Sequence, residues 1–286
     1  MGVISAEELG RLSPVFCGKS GQCLARFFLR LTAINKVNAL YDRSGHLSGA
    51  DFAGSLLEDL GVNYAVGHAD RLKQLPYGAF ITVSNHPYGA LDGIILIDLF
   101  GHLRSGYKFM VNRFLGMIKA MGENFITVNP TGNKKQDISA ANLQGIRQTL
   151  SHLKGGHPAG FFPSGAVSDF SLKEMRIRDR QWQESIIRLI HKARVPILPI
   201  RFFDTNSPFF YSLGLINWRV RLLRMPHEVF NKSQKTQRLG IGEIIPVEKQ
   251  KQFNDCKAFG AFLRESVYQM PLPSSFITRN EILNIT

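Results

Sequence analysis

The apolar positions of this chain change period along its length, and the changes mark out alternating strands and helices. Ala79-Phe80-Ile81-Thr82-Val83 is a short, partly β-branched apolar run, so residues 79–84 read as a buried strand. Asn85, His86, Pro87 and Gly89 break that run. An apolar helix follows over about 90–103, through Ile94, Ile95, Leu96, Ile97 and Leu99. The same signals predict strands at 107–111, 125–128, 159–162 and 195–203, the last despite Pro196 and Pro199. Helices are expected at 113–121, at 138–153 with Leu143, Ile146, Leu150 and Leu153 on one face, and at 181–192. A loop over 129–136 holds Pro130, Gly132, Lys134 and Lys135. Strands separated by helices imply an α/β fold, with a largely parallel central sheet flanked by helices.

Before the first strand, Leu24, Phe27, Phe28, Leu31 and Ile34 recur at helical spacing, with Arg26 and Arg30 between them. Such an amphipathic helix either lies in a membrane interface or packs its stripe on the domain. No stretch is long and apolar enough to span a bilayer. The expected organisation is an amino-terminal helical region over 1–70, a main domain over 71–270, and a tail over 271–286 that docks loosely or is disordered.

Composition narrows the class. At 286 residues with 44% hydrophobic residues, the chain builds a sizeable core and disorder is not expected. Cys17, Cys23 and Cys256 form no metal-like cluster and leave an odd thiol, which points to a reducing compartment. Residues 1–10 carry Glu7 and Glu8 and lack a basic start, so no signal peptide is expected. The net charge of +13 favours anionic partners: acidic headgroups, nucleic acid or an acidic carrier protein. It gathers at Lys173, Arg176, Arg178 and Arg180, and again at Arg219, Arg221, Arg224, Lys232, Lys235 and Arg238. Zinc-finger, RNP-type and basic-zipper patterns are missing, so nucleic acid is not the expected partner. There is no Gly-x-Gly-x-x-Gly after a strand and no phosphate loop, so no nucleotide cofactor is expected. There is no Gly-x-Ser-x-Gly elbow either, and nothing beside Ser164 marks it as a nucleophile.

The informative pair is His86 and Asp92. A histidine at the carboxyl end of a strand, followed by an aspartate at a helix start, stands where open α/β sheets bind ligands. Such a pair works as a general base held by a carboxylate; equally, a loop histidine beside a helix-capping aspartate has this spacing.

Four blocks in order are Asn85-His86-Pro87-Tyr88-Gly89-Ala90-Leu91-Asp92-Gly93, Gly122-Glu123-Asn124-Phe125-Ile126, Phe162-Pro163-Ser164-Gly165-Ala166-Val167-Ser168 and Val195-Pro196-Ile197-Leu198-Pro199-Ile200. With them the chain resembles the glycerolipid (lysophospholipid) acyltransferase superfamily, and within it the bacterial hemolysin-like or lyso-ornithine-lipid O-acyltransferase branch. The resemblance implies an acyltransferase domain over 71–270. His86 would take the proton from an acceptor hydroxyl attacking an acyl thioester, with Asp92 holding the imidazole, worth on the order of 10²–10⁴ in rate. Backbone N–H groups near Gly165 or Gly93 are candidate oxyanion donors. Neither a metal nor a cofactor is implied, only acyl carrier protein or CoA thioester as co-substrate. A lysolipid acceptor and a cytoplasmic, peripheral place at the inner membrane face are implied as well.

The departures matter too. Five residues, Pro87 to Leu91, separate His86 from Asp92, one more than in most of the superfamily. Val128 and Val167 stand where the superfamily carries arginines, the former for the acceptor's phosphate, and Ser164 replaces a glutamate. Valine supplies no bidentate guanidinium. So either the acceptor is a lyso-amino-acid lipid rather than a 1-acylglycerol-3-phosphate, or Arg201, Arg113 or Lys134 replaces the missing arginine. The expected substrate-binding set is Asn85, Gly89, Ser164, Gly165, Ser168, Arg201 and Arg113. The alternative to an enzyme is a catalytically inactive lipid-binding protein of the same fold.

Overall fold

A computed structural model describes residue 7 and residues 17–31, 33–128 and 140–285. Helices α1 (Gly18–Leu31), α2 (Ile34–Ser44) and α3 (Gly49–Leu60) lead into strand β1 (Asn63–Gly67). Then come β2 (Ile81–Ser84), α4 (Leu91–Leu103), β3 (Lys108–Asn112), β4 (Phe125–Val128), α5 (Ala140–Lys154) and β5 (Ala159–Phe161). A small hairpin of β6 (Asp169–Ser171) and β7 (Arg176–Arg178) precedes α6 (Glu184–Ala193) and β8 (Ile197–Phe202). Two linked helices, α7 (Pro208–Ile216) and α8 (Trp218–Phe230), lead to β9 (Thr236–Ile241), and the chain closes with α9 (Val247–Gln250), α10 (Cys256–Tyr268), β10 (Ile277–Thr278) and α11 (Arg279–Ile285).

Eight strands make the central sheet in the order β10-β1-β9-β8-β2-β5-β3-β4. Pairing is parallel except at β1–β10 and β8–β9, so the sheet is largely parallel, as the strand–helix alternation implies. Period-2 alternation divides β8: Leu198, Ile200 and Phe202 join the core under α3 and α4, while Ile197 joins the core under α6 and α10. Pro199 is tolerated because it falls between the bridge Ile197–Ile245 and the β8–β9 ladder that begins at Ile200, where no donor is needed.

Several expectations change in detail. Residues 113–121 do not form an α-helix; Arg113–Met117 and Lys119–Asn124 are two tight 3₁₀ turns, in a segment interrupted by Gly116 and Gly122. The amphipathic stripe over 23–34 is split by Ala33, whose φ of 59° ends α1 before α2 begins. In α1, Leu29 is buried and Leu24 exposed. The side chains of Phe27, Phe28, Arg30 and Leu31, and the loop 129–136 with Lys134, lie outside the described residues. The expected boundaries at 70 and 270 are crossed by the sheet. β1 pairs with β9 and with β10 of the tail. Arg279 at the start of α11 holds buried Asp98 of α4 at 2.7 and 2.9 Å, and Ile282 is buried, so the tail is docked. No described helix is long and apolar enough to cross a membrane.

Candidate active site

Parallel strands β2, β5 and β3 send their carboxyl ends to one edge of the sheet, and the predicted residues gather on the loops that follow. β2 ends at Ser84 and the chain turns through Asn85–Gly89 into α4. The turn needs Gly89: its φ is +85°, a left-handed conformation that a side chain resists, and an added Cβ would come within 2.7 Å of Met225 Cε and 3.3 Å of Val167 Cβ.

His86 Nδ1 lies 2.8 Å from Asp92 Oδ2. The same oxygen accepts the backbone N–H groups of Tyr88 (3.0 Å) and Gly89 (3.2 Å), and Oδ1 accepts Gly93 N–H at 3.0 Å. Asp92 is fully buried, and four donors satisfy a carboxylate that would otherwise be costly there. An acceptor at Nδ1 fixes the tautomer that carries its proton on Nδ1 and leaves Nε2 a lone pair. The ring stacks on Phe162, 3.9 Å between centroids, and Phe162 leans on Phe109. With 14% of its side chain exposed, His86 has one face packed and one edge open.

The backbone of His86 is fixed as well. Its N–H donates to Asp179 Oδ1 at 3.1 Å, and its carbonyl accepts Ser168 N–H at 2.9 Å. Asp179 is buried and also accepts from Ser168 Oγ at 2.6 Å and Trp182 Nε1 at 3.1 Å. Burial raises its carboxyl above the ordinary value, against the pull of those donors. On the other side of the turn, Tyr211 hydroxyl donates to Pro87 O and Asn206 Nδ2 to Tyr88 O. Asp179, Tyr211 and Asn206 were absent from the expected site. The only signal for Asp179 in sequence is a lone acid among Arg176, Arg178 and Arg180; for the other two there is none, because nothing local ties 206–211 to 87–88.

The remaining expected residues divide. The Asn85 side chain is spent on the sheet: Nδ2 donates to Phe202 O at 2.9 Å and Oδ1 accepts Phe202 N–H at 2.8 Å. Ser164 Oγ donates to Ala166 O at 2.7 Å inside its own turn. Gly165, at φ +63°, closes that turn; a Cβ there would collide with the Gln183 amide. Neither expected oxyanion donor is left over, since Gly165 N–H is bonded to Phe162 O and Gly93 N–H to Asp92. Ser168 bonds Asp179 and faces a cavity of about 470 Å³. That cavity also touches Asn85 and Pro87, on either side of His86, and Arg176, Arg178 and Arg201. Arg201 is not paired with Asp204 or Asp179. It donates to Tyr268 O and Met270 O, both at 2.6 Å, at the carboxyl end of α10, a favourable place for a cation. Asp204 is taken by Arg238 at 2.6 Å. Arg113 is exposed just beyond β3, two strands from His86, with β5 between them. Among the described residues no group of three His, Cys, Asp or Glu side chains converges as a metal site would.

A family model described as acyltransferase matches residues 10–272. The chain belongs to the acyltransferase family. A lyso-glycine lipid O-acyltransferase of Bacteroides thetaiotaomicron is 24% identical over 243 residues, covering 82% of this chain and 85% of that protein. One of Phocaeicola vulgatus is 24% identical over 274 residues, covering 92% and 94%. The crystal structure of the 1-acyl-sn-glycerophosphate acyltransferase PlsC from Thermotoga maritima aligns over 85% of this chain and 92% of that one, at 15% identity and a TM-score of 0.45. The family model and these relatives bear out the resemblance read from the four sequence blocks.

Within this family the two missing arginines acquire a structural account. Val167 is buried against Phe210 and Tyr211 in an apolar cluster with Met225, and Val128 packs against Gly145 of α5. Val167 is thus enclosed in hydrocarbon, whereas Val128 is half-buried.

Proposed function

We propose that this acyltransferase moves a fatty acyl group from a thioester of acyl carrier protein or CoA to the hydroxyl of a lyso-amino-acid lipid, at a membrane surface. The observation that carries the reading is the 2.8 Å contact of His86 Nδ1 with buried Asp92, which leaves Nε2 as the base at an open edge. The acceptor hydroxyl gives its proton to Nε2 as its oxygen attacks the thioester carbon. Asp92 stabilises the imidazolium that forms, and the collapsing oxyanion expels the thiol, which takes that proton. His86 and Asp92 are the catalytic residues of this reading.

Two observations support an acceptor with a carboxylate in place of a phosphate. The superfamily's arginine positions are valines here, Val167 buried in an apolar cluster and Val128 half-buried, and the curated relatives named above act on a lyso-glycine lipid. The cavity beside the turn supplies a cation instead. Arg201 has carbonyl partners and no carboxylate, and its buried Nε is without a partner. Burial lowers it from its ordinary value, the expected effect on a cation without a counter-ion. Ser168 and Arg178 line the same cavity. The net charge of +13 suits an acidic carrier protein and an anionic membrane.

The test offers the purified protein a labelled acyl thioester with lysophosphatidic acid or a lyso-amino-acid lipid, and uses His86→Ala as blank. Transfer to the amino-acid lipid, absent in His86→Ala, is expected. Equal transfer by His86→Ala refutes the mechanism. Transfer to lysophosphatidic acid alone refutes the acceptor. Lipid binding without any turnover makes the chain a binding protein of this fold.

A further inference from the structure

Helix α8 packs Met225, Val229 and Phe230 toward the core, but its fully buried residues are charged. Its buried positions are Arg221 and Glu228, at 2% and 1% exposure, whereas Trp218, Leu222 and Leu223 are 52%, 39% and 46% exposed. The preceding α7 adds Phe209, Leu215 and Ile216, at 56%, 53% and 82%. A helix that meets water on its outer face carries the opposite pattern. The buried charges are paired: Arg221 bonds Ser168 O and Asp169, leaving only its Nε without a partner, and Glu228 accepts from Ser207 N–H, Ser207 Oγ and Asn231. Glycine at 214 makes room for Arg221, since a Cβ there would lie 2.8 Å from its Cδ. The arrangement is therefore built into the packing, and it leaves a contiguous apolar surface on two adjoining helices.

We propose that the α7–α8 hairpin is the surface by which this protein docks on an anionic lipid bilayer. Charge chooses the occupant. The exposed basic residue Arg219 stands among the apolar side chains, Arg224 is half-buried on the same helix, and the chain carries +13. Basic and aromatic side chains around an apolar face match the headgroup boundary of an anionic membrane. A second copy of the chain fits worse, because a two-fold interface would set each Arg219 patch against its own like charge. The hairpin also touches the catalytic turn, through Tyr211 to Pro87 and through Met225 beside Gly89. Docking there holds His86 at the lipid surface in which a lysolipid acceptor resides. The inference rests on the lysolipid reading for that purpose, but its test involves no turnover.

The full chain is sedimented with vesicles of phosphatidylcholine alone or mixed with phosphatidylglycerol, and tryptophan emission is followed. The chain has two tryptophans; Trp182 is buried and bonded to Asp179, so a change on vesicle addition reports Trp218. The proposal expects binding that grows with phosphatidylglycerol, a blue shift, and a loss of about tenfold or more in Ile216→Asp/Leu223→Asp. These exposed positions leave the fold intact, which an unchanged thermal melt verifies. His86→Ala binds as wild type does, so a failed acyl transfer leaves this result standing. Unchanged vesicle binding by the double variant places docking elsewhere and overturns the proposal. So does an absence of binding, or a wild-type dimer that the double variant dissociates.

Discussion

Asp92→Asn separates a carboxylate that works in catalysis from one that only holds a turn. The two readings differ because of how the four donors are shared. Three of them, His86 Nδ1, Tyr88 N–H and Gly89 N–H, converge on Oδ2, and Gly93 N–H meets Oδ1. An amide has one accepting oxygen and one donating nitrogen. With its oxygen in the Oδ2 position it keeps three bonds and opposes one donor to another at Gly93; the reverse orientation opposes three. The first orientation therefore wins, the turn survives, and the stability lost is that of about one unsatisfied buried group, roughly 1–3 kcal/mol. The charge is gone. An imidazolium and a carboxylate about 4 Å apart between charge centres attract by about 4 kcal/mol at an effective dielectric near 20. Losing that in the transition state lowers kcat by roughly three decades. The assay is transfer of a labelled acyl group under saturating thioester, with kcat and acceptor KM measured separately beside a thermal melt. The expected result is a kcat about 10³-fold lower, an acceptor KM close to wild type and a slightly lowered melting temperature. A kcat within about tenfold of wild type, in a variant destabilised by the same amount, refutes the reasoning and makes Asp92 a turn-holding residue.

Three further outcomes follow from particular contacts. Gly89→Ala forces a side chain into the left-handed region, at about 1–2 kcal/mol, and displaces an N–H that holds Asp92; kcat should fall by roughly 10–100-fold, and unchanged kinetics would show that the turn tolerates the shift. Asn85→Ala leaves the buried N–H and carbonyl of Phe202 unpaired, a loss of about 2–5 kcal/mol in denaturant unfolding; normal stability with a raised acceptor KM would instead return Asn85 to the substrate. His152 is lowered from 6.5 by desolvation, so the fold favours its neutral form while the unfolded chain takes up the proton near 6.5. Its contribution is present above that pH and is lost as pH falls through 6.5 toward the folded value. Melting temperatures measured from pH 8 to pH 5 should therefore fall more steeply for wild type than for His152→Gln, and parallel curves would exclude this histidine.

What could be read in the sequence was whatever depends on neighbours along the chain. The strand at Ile81–Ser84, the break at His86-Pro87-Tyr88-Gly89 and the helix start at Asp92 are local, so periodicity and turn chemistry located the pair before any tertiary information. Phe162 and Ser168 came with their block, although their tasks, stacking on the imidazole and gripping Asp179, did not. The part of the chain after Phe203 is harder to read for a physical reason. Helix α8 turns Arg221 and Glu228 inward, and a reading that assigns polar residues to water makes them part of a basic surface stretch. The docking of the tail is hidden in sequence for a related reason: β10 is two residues long, and the partners of Arg279, Asp98 and Glu58, are far away in sequence.

The chemistry of the turn itself depends on those long-range partners. A histidine on a six-residue loop has many positions open to it, and Asp92 fixes the ring but not the backbone that carries it. Asp179 grips His86 N–H, Tyr211 grips Pro87 O and Asn206 grips Tyr88 O, from two segments, one at 179 and one over 206–211. Two of these come from the polypeptide that leads into and forms the exposed helical hairpin. The loop that carries His86 is thus braced from outside itself. Loosening the brace should then cost turnover without touching substrate contacts. Tyr211→Phe removes one hydroxyl and little volume, so a lower kcat at constant acceptor KM is the signature of bracing. A changed KM with kcat intact would place Tyr211 against the substrate instead.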